Sequence, residues 1–411
     1  MEKYDIIVIG ASAAGVTSAI TARRHYPEKS ILVIGKGKGV PIPCGIPYVF
    51  GTVGDPEKNL LPVSKMLTSS NVEYIIDEVV DINRESRFVS ITNGEQFEYE
   101  KLVVATGSLP AVPPIPGIDK KNVFSIQKDV PYLNTILDQL SNAKNLCVIG
   151  CGFIGVEIAE ECRRSCPDIN ISIVEMQPRC LQLVYDEEFC LLAEKALKEQ
   201  NINLYLEEKV DSLIGGDVVE RIKLSSGKEL ETDMVIMGIG SYANVELAKK
   251  ANLEIGPTKG IQVNRYMQTS DDNIFACGDC AEKVLFFDGK PSPLKLASVA
   301  TMEARVAGAN LFGTKRVNMG VIGVYSTALG NVAFASAGLT EAQALEKGYN
   351  VVTGTAESIN RHPGCMPGGA NLRVKLIFEA GNKVIIGGQV TGALSGGEVI
   401  NTISACIHQR M

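Results

Sequence analysis

Two stretches of the chain share one pattern of apolar and polar positions. In the first, the apolar run Ile6–Ile9 ends at Gly10 and continues through Ala11-Ser12-Ala13-Ala14-Gly15 into a small-residue stretch from Val16 to Tyr26. In the second, the run Leu146–Ile149 ends at Gly150 and continues through Cys151-Gly152-Phe153-Ile154-Gly155 into a similar stretch from Val156 to Cys166. Gly10 and Gly150 stand 140 positions apart, and each unit closes on another apolar run, Ile31–Ile34 and Ile171–Val174. A short, continuously apolar run bounded by glycine fits a strand buried on both faces, and the small-residue stretch fits a helix packed closely on it. The spacing therefore predicts a βαβ unit, built twice.

Three more apolar runs end in glycine turns: Leu102–Ala105 before Thr106-Gly107, Val235–Met237 before Gly238 and Gly240, and Ile274–Ala276 before Gly278-Asp279. Ligands of open α/β sheets sit at the carboxyl ends of such strands. The Pro-rich stretch Pro110–Pro116 reads as a linker, and a second break falls near Gly320. From Val321 the pattern changes to alternating strands at 330–336, 372–378 and 383–390, with helical stretches at 340–348 and 395–409. The predicted fold is α/β, with two Rossmann-like dinucleotide-binding domains and a C-terminal α+β domain. The expected segments are 1–112 and 243–320 for the first nucleotide domain, 113–242 for the second, and 321–411 for the tail.

Composition narrows the class without deciding it. The 411 residues are 45% apolar and 21% charged, with a net charge of −7, which gives no support for binding nucleic acid or an anionic membrane surface. The N-terminal residues run straight into a strand-like segment without a basic or apolar leader pattern, so a cytoplasmic location is expected. The eleven cysteines are scattered, and in a reducing compartment most are expected to be small buried hydrophobes. Cys277 and Cys280 form a CxxC that coincides with the Gly278-Asp279 turn, and no second pair completes a metal set; no metal is expected.

The glycines specify chemistry by position. The first makes the tight turn, the second lets the backbone approach a pyrophosphate, and the third permits close packing of helix on strand. An acid at the end of the second strand takes the ribose hydroxyls; Glu175, 25 residues after Gly150, stands there. The first unit departs twice, with Ser12 at the second glycine and Gly35 at the acid.

Assembled, the order Gly10…Gly15, Ala105-Thr106-Gly107, Gly150-x-Gly152-x-x-Gly155 and Gly278-Asp279 resembles the FAD-dependent pyridine nucleotide-disulfide oxidoreductase family over essentially the whole chain. The resemblance implies FAD on the first unit, NADH or NADPH on the second, and a homodimer formed through the tail. It implies that Asp279 meets the ribityl chain. It also places Gly10–Gly15, Lys36, Val79, Ala105–Gly107, Leu296 and Ala297, together with Gly150, Gly152–Gly155, Glu157, Glu175, Gly238 and Gly240, among the cofactor positions. The loop Pro43-Cys44-Gly45-Ile46-Pro47-Tyr48 is similar to the branch with a single redox cysteine, because the positions five residues either side of Cys44 are Gly39 and Val49. That branch includes coenzyme A disulfide and persulfide reductases, NADH peroxidases and NADH oxidases, and the Pro47-Tyr48 pair is closest to the first two.

Implied roles are Cys44 as nucleophile, Arg23 and Tyr48 as contacts for a small disulfide or persulfide such as a coenzyme A derivative, and His362 as a catalytic group offered by the partner chain. Two departures from the pattern are Val40-Pro41-Ile42-Pro43 where coenzyme A disulfide reductases carry Ser-x-x-Asn, and His362 where a tyrosine is usual. Pro47 suits the first turn of a helix, so Cys44 is expected at a helix N-terminus with a lowered pKa. The alternative acceptors are peroxide or oxygen, with Cys44 cycling through sulfenic acid.

Overall fold

The apolar runs that flank each glycine turn become parallel strands. A computed structural model describes residues 1–411. In the first sheet, Glu2–Ile9 lies between Ile31–Gly35 and Gln96–Val104, parallel to both, in a register that sets Ile6 beside Ile31 and Val8 beside Val103. Glu73–Ile76 extends one edge, and Phe88–Ile91 and Val79–Asn83 extend the other as antiparallel strands. Ile274–Ala276 returns from far along the chain to pair with Gln96–Val104. Val8, Leu32, Val33, Leu102 and Val103 are completely buried, as expected for parallel strands covered on both faces.

The second sheet is wholly parallel, in the order Val123–Ser125, Met234–Met237, Asn145–Ile149, Asn170–Val174, Ile202–Tyr205. The tail forms a five-stranded antiparallel sheet, Val324–Leu329, Val332–Gly338, Ile385–Gly392, Asn371–Glu379 and Val351–Ile359, backed by the helix Val399–His408. The architecture is thus α/β with two dinucleotide-type units and an α+β tail. Two tail strands, Val324–Leu329 and Val351–Ile359, lie outside the segments that the pattern predicts. Val351–Ile359 is exposed along almost its whole length, so no apolar alternation marks it. No helix is long and apolar enough to cross a membrane.

The repeat reaches further than its glycines. At the end of the helix Ala13–His25, Arg23 donates to the carbonyls of Pro27 (2.8 Å), Lys29 (2.7 Å) and Asn71 (2.7 Å). At the end of the helix Phe153–Ser165, Arg163 donates to Pro167 (2.6 Å) and Asn201 (3.0 Å). Both accepting asparagines have positive φ, 54° and 57°, so each arginine ties its helix to a tight turn at the edge of its own sheet. The Nη atoms of Arg23 thus meet backbone carbonyls within the chain, as those of Arg163 do in the other unit.

Candidate active site

Both glycine loops have the geometry that a pyrophosphate requires. Gly10 and Gly150 adopt φ of +105° and +103°, which L-side chains rarely reach. Side chains at Gly15 or Gly155 would run into the carbonyls of Gly10 and Gly150, so helix and strand pack there without space between them. A Cβ at Gly152 would meet nothing within 4 Å, which leaves the approach to the helix Phe153–Ser165 open. Ser12, in the matching place, caps the helix Ala13–His25 with extended backbone while its side chain makes no capping bond. The leading N–H groups of both helices are thereby available to an anion.

The two units differ where the ribose acid belongs. Glu175 accepts from the main-chain N–H of Cys151 (2.6 Å) and of Gln177 (2.9 Å), which fixes its carboxylate at the mouth of the second loop. At Gly35 the space of a side chain is filled by Ala11 and Tyr74, so the acid is sterically excluded. Lys36 beside it pairs with Glu78 at 2.7 Å. The Val79 side chain is buried in the core, at the start of the strand Val79–Asn83. Gly238 packs against Gly155, and Gly240 is open at a φ of +94°. Ile154 is partly exposed, and Phe153 stacks on Tyr325 with ring centres 5.2 Å apart.

Residues from three distant segments converge at Asp279. It accepts from Ser108 Oγ (2.8 Å), which follows the Thr106-Gly107 turn; Thr106 is itself held by donation to the Asn244 carbonyl (2.6 Å). The preceding Gly278 has φ +78° and is clamped at both its polar groups. Its N–H donates to Glu303 (3.0 Å), and its carbonyl accepts from Lys283. Lys283 and Glu303 form a fully buried pair at 3.0 Å. Neither was legible in the sequence, because an ion pair between residues 283 and 303 has no periodic signature. Cys277 and Cys280 are buried behind this turn.

Cys44 is free and exposed. Its own helix is slight: a 3₁₀ turn, Pro43–Gly45, followed by the four-residue helix Ile46–Val49 with Pro47 in its first turn. Its surroundings act against the expected lowering of its pKa. The surrounding wall of protein, then the carboxylates of Glu157 and Asp279, push the thiol up; the Ala297 N–H and the Lys128 ammonium only partly oppose them. A turn this short has little aligned dipole. The helix end that helps is a different one, Ala297–Asn310, which Leu296 caps.

Glu157 accepts from Thr327 Oγ1 (2.8 Å), and burial pushes its carboxyl up to about 7. Tyr48, against the same carboxyl, is raised to about 12 by burial and then by Glu157. Glu157 is therefore neutral below about pH 7 and gains its charge above it, so its repulsion of a Cys44 thiolate switches on as pH rises. Glu157→Gln is expected to shift the Cys44 titration to lower pH. Peptide-resolved iodoacetamide labelling of the flavin-free protein across pH measures this, and an unmoved midpoint would show that Glu157 does not act on Cys44. From the same helix, Glu160 accepts from the N–H of Gly330 (2.6 Å) and Glu161 from Thr52 Oγ1 (3.0 Å). One helix thus holds the segment after Cys44 and the first tail hairpin together.

His362 and Cys365 lie in an exposed loop between Val351–Ile359 and Asn371–Glu379. Within one chain no hydrogen bond or ion pair ties His362 to the Cys44 site. Cys147, Cys162 and Cys190 are buried as expected, but Cys151 and Cys180 are not free thiols: the structure joins them in a disulfide, with Cα atoms 5.0 Å apart.

Comparison with known proteins agrees with this geometry. The family model described as pyridine nucleotide-disulphide oxidoreductase matches residues 4–304, and that family's dimerisation domain matches residues 324–411. The chain is 31% identical to an NADH oxidase of Methanocaldococcus jannaschii, covering 98% of this chain and 91% of that one. It is 32% identical to a CoA-dependent NAD(P)H sulfur oxidoreductase of Pyrococcus furiosus, covering 96% and 89%. Its structure superposes on a NAD-dependent persulfide reductase from A. fulgidus with a TM-score of 0.91 and 32% identity, over 99% of this chain and 77% of that one. Two glycine-loop units, a tail sheet and the exposed Cys44 near Asp279 are thus explained together: the chain belongs to the pyridine nucleotide-disulphide oxidoreductase family.

Proposed function

We propose that this protein oxidises NADH and reduces a small-molecule disulfide or persulfide of the coenzyme A kind, through FAD and Cys44. The observation that carries this reading is the isolation of Cys44. It is free and exposed beside Asp279 and Glu157, with Gly39 and Val49 where a pairing cysteine would stand. A cysteine without an internal partner forms its disulfide with the substrate itself. The relative from P. furiosus and the A. fulgidus structure are named for this chemistry. FAD, once bound, passes two electrons from the pyridine nucleotide to sulfur. The division of the chain at 112, 242 and 320 belongs to the same reading.

The chain's own groups do the rest. Glycines 10 and 150 and the helix ends behind them hold the pyrophosphates, Asp279 orients the ribityl hydroxyls, and Glu175 takes the nicotinamide-side ribose. The Cys44 thiolate attacks a sulfur of the acceptor, forming a Cys44–sulfur bond as the acceptor's own S–S bond breaks. The departing thiolate then needs a proton. Tyr48, beside Glu157, is placed to orient the acceptor.

A single assay compares acceptors: NADH consumption with CoA disulfide, CoA persulfide, peroxide and oxygen. The sulfur acceptors are expected to give the highest kcat/KM. A higher value for oxygen or peroxide would select the second reading, an NADH oxidase or peroxidase cycling through Cys44 sulfenic acid, for which the M. jannaschii relative is named.

Cofactor choice follows from Glu175, whose carboxylate accepts from a 2′-hydroxyl and repels a 2′-phosphate. NADH is expected to exceed NADPH in kcat/KM by about tenfold, the factor that 1.4 kcal/mol of like-charge cost produces. Equal or reversed preference would contradict it.

The tail is proposed to form a homodimer in which the exposed His362–Gly369 loop of one copy closes the Cys44 site of the other. His362 is the proton donor in this arrangement, since an imidazole can pass a ring proton to a departing thiolate. His362→Ala is expected to lower turnover by about 10²-fold and to flatten the pH profile over roughly pH 5.5–8.5. An unchanged rate and profile would leave His362 as a loop-shaping residue.

A further inference from the structure

The Cys151–Cys180 pair stands in the loop pair that the second βαβ unit presents to its nucleotide. Cys151 is the residue between Gly150 and Gly152, and its N–H donates to Glu175 Oε2 (2.6 Å). Its carbonyl accepts from Leu181 N–H (2.9 Å), and the N–H of Cys180 donates to buried Glu194 (3.2 Å). The S–S bond therefore joins the pyrophosphate turn to the segment that leaves the ribose acid, across a sequence separation of 29. The first unit builds the same turn with Ala11 in the place of Cys151. Its Gly10 has nearly the same φ as Gly150, so the turn does not need a cysteine to form. The pair adds something beyond the fold.

We propose that Cys151 and Cys180 form a second redox centre, a dithiol–disulfide pair whose oxidation by a small-molecule disulfide locks the pyridine-nucleotide site into its binding geometry. One cysteine thiolate attacks a sulfur of RSSR and releases the first RSH. The other cysteine then attacks the mixed disulfide and releases the second RSH. Two cysteine thiols and one RSSR become one protein disulfide and two RSH: the cysteines lose two electrons, the small disulfide gains them, and both protons leave on the released thiols.

Both sulfur atoms belong to buried residues. The residues between Glu175 and Arg179, Met176, Gln177 and Pro178, are exposed, so exchange is expected through local opening of this loop. Reduced, the loop keeps its hydrogen bonds, the Arg179–Glu187 ion pair and its apolar packing but loses its covalent tie, and the fraction of molecules ready for NADH falls. Oxidised, the site is pre-organised. The ratio of disulfide to thiol that supplies the acceptor would then also set the affinity for the donor. This extension rests on the placement of NADH at residues 145–175.

The test equilibrates the FAD-loaded protein anaerobically in glutathione disulfide or in glutathione. Anaerobic gel filtration then removes the glutathione, peptide mapping scores the Cys151–Cys180 link, and bleaching of the flavin by NADH gives the apparent NADH affinity without any sulfur acceptor. The link is expected in the first buffer and absent in the second. Reduction is expected to weaken apparent NADH affinity about fivefold, as when the competent fraction falls to about one fifth, with little change in the limiting bleaching rate. A Cys151→Ala, Cys180→Ala double variant should match the reduced protein in both buffers.

A link that never forms, a link that survives glutathione, or a link that toggles with no change in NADH affinity would each overturn the proposal. Glu175→Ala separates the two levels. If it weakens NADH binding while the redox state does not, only the redox proposal fails. If it leaves NADH binding unchanged, the nucleotide-site reading fails and the redox proposal with it.

Discussion

Cys44→Ser is expected to lower turnover with sulfur acceptors by at least about 10³-fold, the scale set by removing a nucleophile whose chemistry has no substitute. The same variant should bind FAD and be bleached by NADH as the parent is. The two halves of the cycle use different residues. On the proposed reading, donor binding depends on Gly150–Gly155 and Glu175, which share no hydrogen bond with Cys44, whereas acceptor reduction needs the thiolate. The protein around Cys44 raises its pKa through burial, Glu157 and Asp279. Serine there is still harder to ionise, so no residual path is expected through its hydroxyl. Wild-type turnover in the Ser variant would remove Cys44 from the mechanism; loss of NADH bleaching along with turnover would show that the substitution disturbed the fold.

Asp279→Ala is expected to raise the dissociation constant for FAD by about 10–100-fold, from the loss of a charged hydrogen bond worth roughly 1.5–3 kcal/mol. The structure gives this carboxylate unusual weight. Ala11 and Tyr74 fill the space at Gly35 where the ribose acid would sit, so the first unit has fewer anchors than the second. Lys283 and Glu303 hold both polar groups of Gly278, which fixes Asp279 before any ligand arrives. Flavin released on gel filtration, read by absorbance, measures the effect. Full and tight occupancy in the variant would remove Asp279 from the FAD site.

The parts that could be read from sequence share one property: their signal is local. Each βαβ unit announces itself within about thirty residues, and the two copies corroborate one another at a fixed offset. That offset also carried a signal left unused, because Arg23 and Pro27 recur as Arg163 and Pro167. Both arginines hold backbone carbonyls.

What was not legible depends on contacts between segments with no periodic relation. Examples are Glu157 with Thr327, Ser108 with Asp279, Lys283 with Glu303, and Cys151 with Cys180. Cys44 shows the consequence most clearly. Pro47 correctly marks a helical turn, but that turn ends at Val49, and the helix N–H that reaches the thiol belongs to Ala297. Val351–Ile359 escaped notice for a different reason: within one chain its side chains face solvent, so it lacks the apolar alternation that marks a half-buried strand.

The most direct test of the central claim traps Cys44 in the act. The FAD-loaded protein, reduced with one equivalent of NADH under anaerobic conditions, is mixed with CoA disulfide, quenched in acid and mapped by peptide mass. A Cys44 peptide carrying a disulfide-linked coenzyme A moiety, formed at a rate that keeps pace with turnover, is the result expected for a single-cysteine disulfide reductase. A Cys44 peptide that stays unmodified while CoA disulfide is consumed would contradict it.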